Sequence, residues 1–130
     1  MKKIALLILT MLLLTACGQR NQDTQEAVYM NITAQEAKEI MDTQEGYIIL
    51  DTRTQEEYDE GHIPGAIVIP HDEITDRAEE ELPDKDQLIM VYCRSGRRSK
   101  EAAEKLVKLG YTNVVEFGGI LDWKGEIVTD

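Results

Sequence analysis

A single cysteine, Cys93, begins a short loop whose composition favours chemistry on sulfur. Three guanidinium groups, those of Arg94, Arg97 and Arg98, lie within five residues of its thiol. The backbone N–H groups of a tight loop that leads into a helix point towards a common centre and favour negative charge there. We therefore expect the Cys93 thiolate to be stabilised and to act as a nucleophile towards a small anion. The alternative, a buried structural cysteine, is disfavoured by three arginines in an otherwise acidic chain.

The segments on either side of Cys93 predict the elements that position it. Residues 88–92 form a continuous apolar run, which is typical of a buried strand. A helix is predicted to follow from Ser99 to about Leu109, and Gly110 ends it. Its apolar face contains Ala102, Ala103, Leu106 and Val107.

The spacing from Cys93 to Arg98 disfavours phosphate-ester or arsenate chemistry. Cysteine-dependent phosphatases have one more residue between the nucleophile and the arginine that closes the loop. That position is Ser99 in this chain. The smaller ring fits a cysteine that carries an extra sulfur atom better than a phosphocysteine.

Four segments in order resemble the motifs of the rhodanese family of single-domain sulfurtransferases, over about residues 28 to 130. The active-site loop of that family is similar to Cys93-Arg-Ser-Gly-Arg-Arg-Ser99. The other three segments are Leu50-Asp51-Thr52-Arg53 with Glu56-Glu57-Tyr58, then Gly61-His62-Ile63-Pro64-Gly65-Ala66, and last Gly118-Gly119 with Trp123.

This resemblance implies that Cys93 accepts a sulfane sulfur, becomes a persulfide, and passes the sulfur to a thiol, cyanide or protein acceptor. The donor is a small anion such as thiosulfate, and no cofactor or metal is implied. Asp51 and Arg53 are expected to organise the loop through buried hydrogen bonds, and His62 to be a packed residue of a turn rather than a general base. The residues expected to bind substrate are Arg94, Ser95, Gly96, Arg97, Arg98 and Ser99, with Arg97 at a position where the family varies.

A second interpretation is a non-catalytic rhodanese-like module that binds a protein or senses redox state or sulfide at a membrane. Some members of the family lack the cysteine. Here Cys93 is present with its full basic loop, which favours catalysis.

The beginning of the chain predicts export. Lys2 and Lys3 precede an apolar run over residues 4–14, which is too short to span a bilayer and has the proportions of a signal-peptide core. The segment Leu14-Thr15-Ala16-Cys17 resembles the lipobox of bacterial lipoproteins. We expect residues 1–16 to be removed and Cys17 to carry the acyl chains of a membrane anchor, on the outer face of the cytoplasmic membrane or in the periplasm. An ordinary secretory signal and an uncleaved anchor are the alternatives.

The rest of the sequence predicts a tether and one domain. Residues 17–27 form the lipidated end and a polar, flexible tether, and residues 28–130 are long enough for a single core. With 14 basic and 25 acidic residues, the net charge of −11 argues against nucleic acid as a partner and against binding to anionic lipid by charge. Membrane attachment is therefore expected to come from the acyl chains on Cys17. With Cys17 lipidated, Cys93 has no partner for a disulfide, and no metal-binding cluster is expected.

Helices and strands are predicted to alternate along the domain. Thr33-Ala-Gln-Glu36 and Thr54-Gln-Glu-Glu57 have the capping-box pattern of helix starts. Apolar runs predict strands at residues 47–50, 66–69, 88–92 and 114–117, and an acidic helix is predicted within about residues 73–81. This order indicates an α/β fold with a small, mainly parallel central sheet flanked by helices. Ligands of such sheets bind at the carboxyl ends of the strands, where Cys93 lies.

Overall fold

The central sheet has five strands, and every pairing between them is parallel within residues 28–129, the part of the chain described by the computed structural model. The strand order is β1-β5-β4-β2-β3. The predicted signal peptide, Cys17 and the tether lie outside the described residues. The strands are β1 (Met30–Asn31), β2 (Ile48–Asp51), β3 (Ile67–Val68), β4 (Ile89–Cys93) and β5 (Val114–Gly119).

Four α-helices accompany the sheet, so the predicted fold class is confirmed. They are α1 (Ala34–Thr43), α2 (Gln55–Glu60), α3 (Ile74–Glu81) and α4 (Arg97–Lys108), and short 3-10 turns occur at His71–Glu73 and Ile120–Asp122. Both predicted capping boxes are present, at Thr33 before α1 and at Thr54 before α2. Within residues 28–129, none of the helices has the length and apolar character needed to cross a bilayer.

The start of α4 differs from the prediction. The helix begins at Arg97, two residues before the predicted Ser99, because Gly96 occupies its N-cap with a left-handed φ of 119°. Glycine adopts this conformation without the steric cost of a side chain. Arg97 and Arg98 therefore lie in the first turn of a helix rather than in the loop.

Apolar residues on both faces of the sheet form the core. Successive side chains of a strand point to opposite faces, and β4 is buried along its whole length. Ile89 and Val91 belong to a cluster that includes residues of α3 and α4. Met90 and Tyr92 belong to the opposite cluster, which includes Ala37 of α1. A strand covered on both faces explains the uninterrupted apolar run that precedes Cys93.

The strand order reverses between β2 and β4. The connection from β2 leads through α2 to β3 on one side, whereas the connection from β4 leads through α4 to β5 on the other. In open α/β sheets, the crevice between the carboxyl ends of two such strands is the usual ligand site. Cys93 ends β4 and Asp51 ends β2, so both border this crevice.

Candidate active site

Cys93 lies at the base of the loop between β4 and α4. Its Sγ accepts a hydrogen bond from the backbone N–H of Gly96 at 2.9 Å. Only 1% of the residue is exposed, although Arg94 and Ser95 beside it are exposed. The sulfur is therefore recessed, faces an N–H donor, and lies close to the N-terminus of α4, where the helix dipole favours negative charge.

The Gly118-Gly119 motif allows the chain after β5 to approach the loop closely. A Cβ atom at Gly119 would lie 1.9 Å from the carbonyl oxygen of Arg94, which no side chain could tolerate. The same carbonyl oxygen accepts a hydrogen bond from the backbone N–H of Leu121 at 3.2 Å. The path of the loop at Arg94 is thus fixed by backbone contacts.

The three arginines of the loop motif have different surroundings. Arg98 makes two hydrogen bonds to the carboxylate of Glu57, at 2.8 and 3.0 Å. Arg97 has 73% of its side chain exposed and pairs with Glu101 one helical turn away. Arg94 is exposed and makes neither an ion pair nor a side-chain hydrogen bond with any residue in the described range 28–129. The charge available to an incoming anion is therefore mainly that of Arg94.

Glu57 links two helices next to the loop. Its carboxylate accepts hydrogen bonds from Arg98 on α4 and from Thr54 at the cap of α2. Hydrogen bonding from Arg98 lowers the pKa of Glu57 to about 2, against the opposing effect of burial. Hydrogen bonding to Glu57 in turn raises the pKa of Arg98, and the charge of Cys93 adds to this effect. The pair is therefore ionised at neutral pH.

Glu116 is a buried carboxylate beneath the loop that the sequence analysis did not single out. It is 0% exposed and accepts hydrogen bonds from the Ser99 hydroxyl (2.5 Å), the Gly118 N–H (2.8 Å) and the Asn31 side-chain amide (2.5 Å). These donors belong to α4, β5 and β1, so one carboxylate links three elements. The signal in the sequence is a single charge within the apolar run before Gly118-Gly119, which is unusual for a buried strand.

Asp51 and Arg53 form a buried pair at the end of β2. The Arg53 guanidinium donates to both oxygens of Asp51 and to the carbonyl oxygen of Gly61 at 2.7 Å. Asp51 also accepts from the Tyr92 hydroxyl at 2.7 Å. Because Tyr92 directly precedes Cys93, the Asp51–Arg53 pair fixes the end of β4, where the Cys93 sulfur lies.

Two pKa shifts reflect this buried network. Burial would lower the pKa of Arg53, but hydrogen bonding and attraction to Asp51 outweigh burial and raise it. Burial raises the pKa of the Tyr92 hydroxyl, and the charge of Asp51 adds to that shift. Arg53 is therefore charged and Tyr92 neutral at physiological pH.

His62 and Trp123, which were singled out in the sequence, have packing contacts, whereas His71 after β3 has a polar contact. His62 is buried, stacks on Tyr58 with ring centroids 3.7 Å apart, and donates from Nδ1 to the Tyr58 carbonyl oxygen. His71 contacts Glu101 at 3.1 Å. Trp123 packs against Phe117. No cluster of three potential metal ligands occurs among residues 28–129.

The site is thus a recessed cysteine on a strand-to-helix loop, at the crevice of a parallel α/β sheet. Residues 33–126 match the rhodanese-like domain family, so the chain belongs to that family. Its relatives in the family include sulfurtransferases.

Two curated relatives have names that specify sulfur chemistry. Thiosulfate sulfurtransferase PspE of Escherichia coli (strain K12) is 42% identical over 73 residues, which are 56% of this chain and 70% of PspE. The putative sulfur carrier protein YrkF of Bacillus subtilis (strain 168) is 41% identical over 96 residues, or 73% of this chain. The chain spans about half of YrkF (51%).

Solved structures agree with the fold. A rhodanese with anions from E. coli is 38% identical, with a TM-score of 0.61, and the match covers 65% of this chain and 99% of that one. A rhodanese-related protein from Thermoplasma volcanium is 30% identical, with a TM-score of 0.67, and the match covers 78% of this chain and 100% of that one.

Proposed function

We propose that this protein transfers a sulfane sulfur from thiosulfate, or a similar small anionic donor, to a thiophilic acceptor through a persulfide on Cys93. The observation that carries the proposal is the hydrogen bond from the Gly96 N–H to the Cys93 sulfur, at the base of a loop that opens into α4. The Gly96 N–H stabilises the negative charge on the Cys93 sulfur as a thiolate, and it stabilises the persulfide that forms when Cys93 accepts a second sulfur atom.

In the first step, the Cys93 thiolate attacks the outer sulfur of thiosulfate. A new S–S bond forms to Cys93, the S–S bond of thiosulfate breaks, and sulfite leaves with the electron pair. In the second step, a thiol, cyanide or protein acceptor attacks the outer sulfur of the persulfide, and the Cys93 thiolate leaves. No cofactor takes part in either step.

The surroundings of Cys93 support binding of an anionic donor. Arg94 directly follows Cys93, is exposed and has no side-chain partner among the described residues, so its guanidinium is available to an anionic donor. Arg98 contributes positive charge nearby while remaining paired with Glu57. Because the Cys93 sulfur is recessed, a small sulfur donor whose transferable sulfur is at its end can reach it more easily than a bulky donor.

Mass spectrometry of the full-length protein tests the persulfide directly. Treatment with thiosulfate should add the mass of one sulfur atom to the peptide that contains Cys93, and subsequent addition of cyanide should remove it and yield thiocyanate. Cys93→Ser should show neither reaction. A wild-type protein that stays unmodified and forms no thiocyanate would contradict the proposal.

We also propose that Cys17 carries a lipid that anchors the protein at the extracytoplasmic face of the membrane, or in the periplasm. The support is the lipobox-like segment Leu14-Thr15-Ala16-Cys17 after a short apolar run. Cells grown with an alkyne-tagged palmitate should label the wild type and Cys93→Ser, which retains Cys17, but not Cys17→Ala. Equal labelling of all three variants, or of none, would count against lipidation at Cys17.

A further inference from the structure

Carboxylates balance two of the three arginines of the loop motif. Arg98 makes two hydrogen bonds to Glu57, at 2.8 and 3.0 Å, and Arg97 pairs with Glu101 at 3.0 Å. Arg94 has no such partner within residues 28–129. The loop motif therefore keeps one uncompensated guanidinium for an incoming anion.

The Arg98–Glu57 pair lies within electrostatic range of Cys93. Hydrogen bonding to Glu57 raises the pKa of Arg98, and the charge of Cys93 contributes further to this shift. The side chains of Arg98 and Glu57 are only 19% and 27% exposed, which limits screening by solvent and salt. An anion bound next to the sulfur therefore interacts with both members of the pair, and Glu57 opposes the attraction of Arg98.

The opposing effect of Glu57 depends on the charge of the ligand. Coulomb energy is proportional to charge, so a carboxylate repels a doubly charged anion twice as strongly as a singly charged anion at the same distance. Glu57 also accepts hydrogen bonds from both Nη1 and Nη2 of Arg98. These two groups would otherwise form the fork that binds two oxygens of an anion at once.

We infer that Glu57 is a specificity-determining residue of the donor site, and that it selects against doubly charged sulfur donors in favour of singly charged ones, such as organic thiosulfonates. The inference rests on the proposed function, because the donor must pass its sulfur to Cys93. The Cys93 thiolate attacks the terminal sulfur of the thiosulfonate and forms an S–S bond to it. The S–S bond of the thiosulfonate breaks, and a sulfinate leaves with the electron pair.

Two donors of different charge test this role in the full-length protein, with cyanide as the acceptor. Thiosulfate carries two negative charges and methanethiosulfonate one. Glu57→Gln should raise kcat/KM about ninefold for thiosulfate and about threefold for methanethiosulfonate, as expected for one charge several ångströms away in a partly aqueous site. The ratio of the two kcat/KM values should therefore rise about threefold. A change in the reactivity of Cys93 itself would affect both donors and cancel in this ratio.

Glu56→Gln is the matched control on the same helix. Glu56 precedes Glu57 in the first turn of α2, is exposed, and makes no ion pair within the described part of the chain. Glutamine can replace glutamate in the capping box, so Glu57→Gln should preserve the start of α2. Both variants lose one negative charge, but Glu56→Gln should leave the ratio unchanged. If the two variants give the same ratio while the wild type forms thiocyanate, the role of Glu57 is wrong and the proposed function stands.

A double variant separates the charge of Glu57 from its contact between α2 and α4. Glu57→Gln combined with Arg98→Gln removes both charges of the pair, so the ratio should return close to the wild-type value. A ratio as high as that of Glu57→Gln alone would show that the contact between the helices matters and not the charge, and would overturn the inference. If the wild type forms no thiocyanate with either donor, the proposed function fails, and the role of Glu57 fails with it.

Discussion

The Cys93 loop is held by different means on its two sides. On the side of β5, the contacts are buried and involve backbone atoms: Gly119 against the carbonyl of Arg94, and Glu116 with Ser99 and the N–H of Gly118. On the side of α2, the main contact is a partly exposed ion pair between Arg98 and Glu57. The comparison indicates that the β5 side fixes the shape of the loop, whereas the α2 side pairs the charge of Arg98 with Glu57.

Gly119→Ala should have the largest effect, because it removes the backbone approach on the β5 side. The added methyl group would lie 1.9 Å from the Arg94 carbonyl oxygen, so the loop must move. We expect a loss of about 1–3 kcal/mol in the free energy of unfolding. Thiocyanate formation should fall about a hundredfold, since small displacements of reacting groups have effects of that size.

Gly46→Ala is the matched control for this substitution. Gly46 has a φ of 81°, and no atom lies within 4 Å of the position that a Cβ would occupy there, so alanine meets conformational strain without a clash. It should lower stability by about 1 kcal/mol and leave thiocyanate formation unchanged. If Gly119→Ala behaves in the same way as Gly46→Ala, the close approach does not shape the site.

Glu116→Gln should rank next, because the carboxylate accepts three hydrogen bonds that an amide cannot all accept. The amide NH₂ group would face either the Asn31 amide or the donors of Ser99 and Gly118, so the network must rearrange or leave a buried polar group unsatisfied, at a cost of about 1–3 kcal/mol. Urea unfolding measures this loss. Glu104→Gln, an exposed substitution on α4, is the control and should change stability by less than about 0.5 kcal/mol.

The kinetic result for Glu116→Gln distinguishes a role in positioning from one in stability alone. A displaced loop should lower kcat for thiocyanate formation under conditions where the variant is fully folded. A variant that is less stable but keeps the wild-type kcat would show that Glu116 holds the fold together without orienting the sulfur.

The contrast between the two sides also explains which features could be predicted from sequence. The strand before Cys93, the helix after it and the capping boxes at Thr33 and Thr54 are encoded locally, in apolar runs and short motifs. The Arg98–Glu57 pair joins residues 41 apart in the chain, and it depends on how α2 packs beside α4. A charge pattern alone does not provide that information.

Two omissions on the β5 side have similar causes. Strand β1 contains only Met30 and Asn31, both exposed, so it has no apolar run by which to recognise it. Glu116 lies in an apolar strand, and its partners come from elements that only the folded sheet brings together. The early start of α4 depends on one glycine conformation at residue 96.

Glu57→Gln should have a smaller effect, and one that depends on pH. The pKa of Glu57 is lowered from 4.5 to about 2 in the folded state, chiefly by hydrogen bonding from Arg98. Its ionised form therefore stabilises the fold above the pKa of the unfolded chain, and this contribution is lost as the pH falls from about 4.5 towards 2. Because the pair is partly buried, we expect a difference of about 1 kcal/mol from wild type at pH 7.

Unfolding curves at several pH values measure this difference. The wild type and Glu57→Gln should differ most above pH 5 and converge near pH 2. A difference that stays constant over this range would mean that the two proteins differ in packing rather than in the charge of Glu57.

The smallest effect on thiosulfate binding is expected for a substitution of Arg97, and a comparison with Arg94 tests whether the surroundings of each arginine decide its role. Arg97 is largely exposed and paired with Glu101 on the same helix, so Arg97→Gln should leave the KM for thiosulfate within about twofold of wild type. The Arg94 side chain has no partner among the described residues, and Arg94→Gln should raise that KM about tenfold, as expected for the loss of a charge-assisted contact to an anion. Initial rates of thiocyanate formation over a range of thiosulfate concentrations measure both values. Equal increases in KM for the two variants would show that the anion responds to the total charge of the loop and not to the one guanidinium left free.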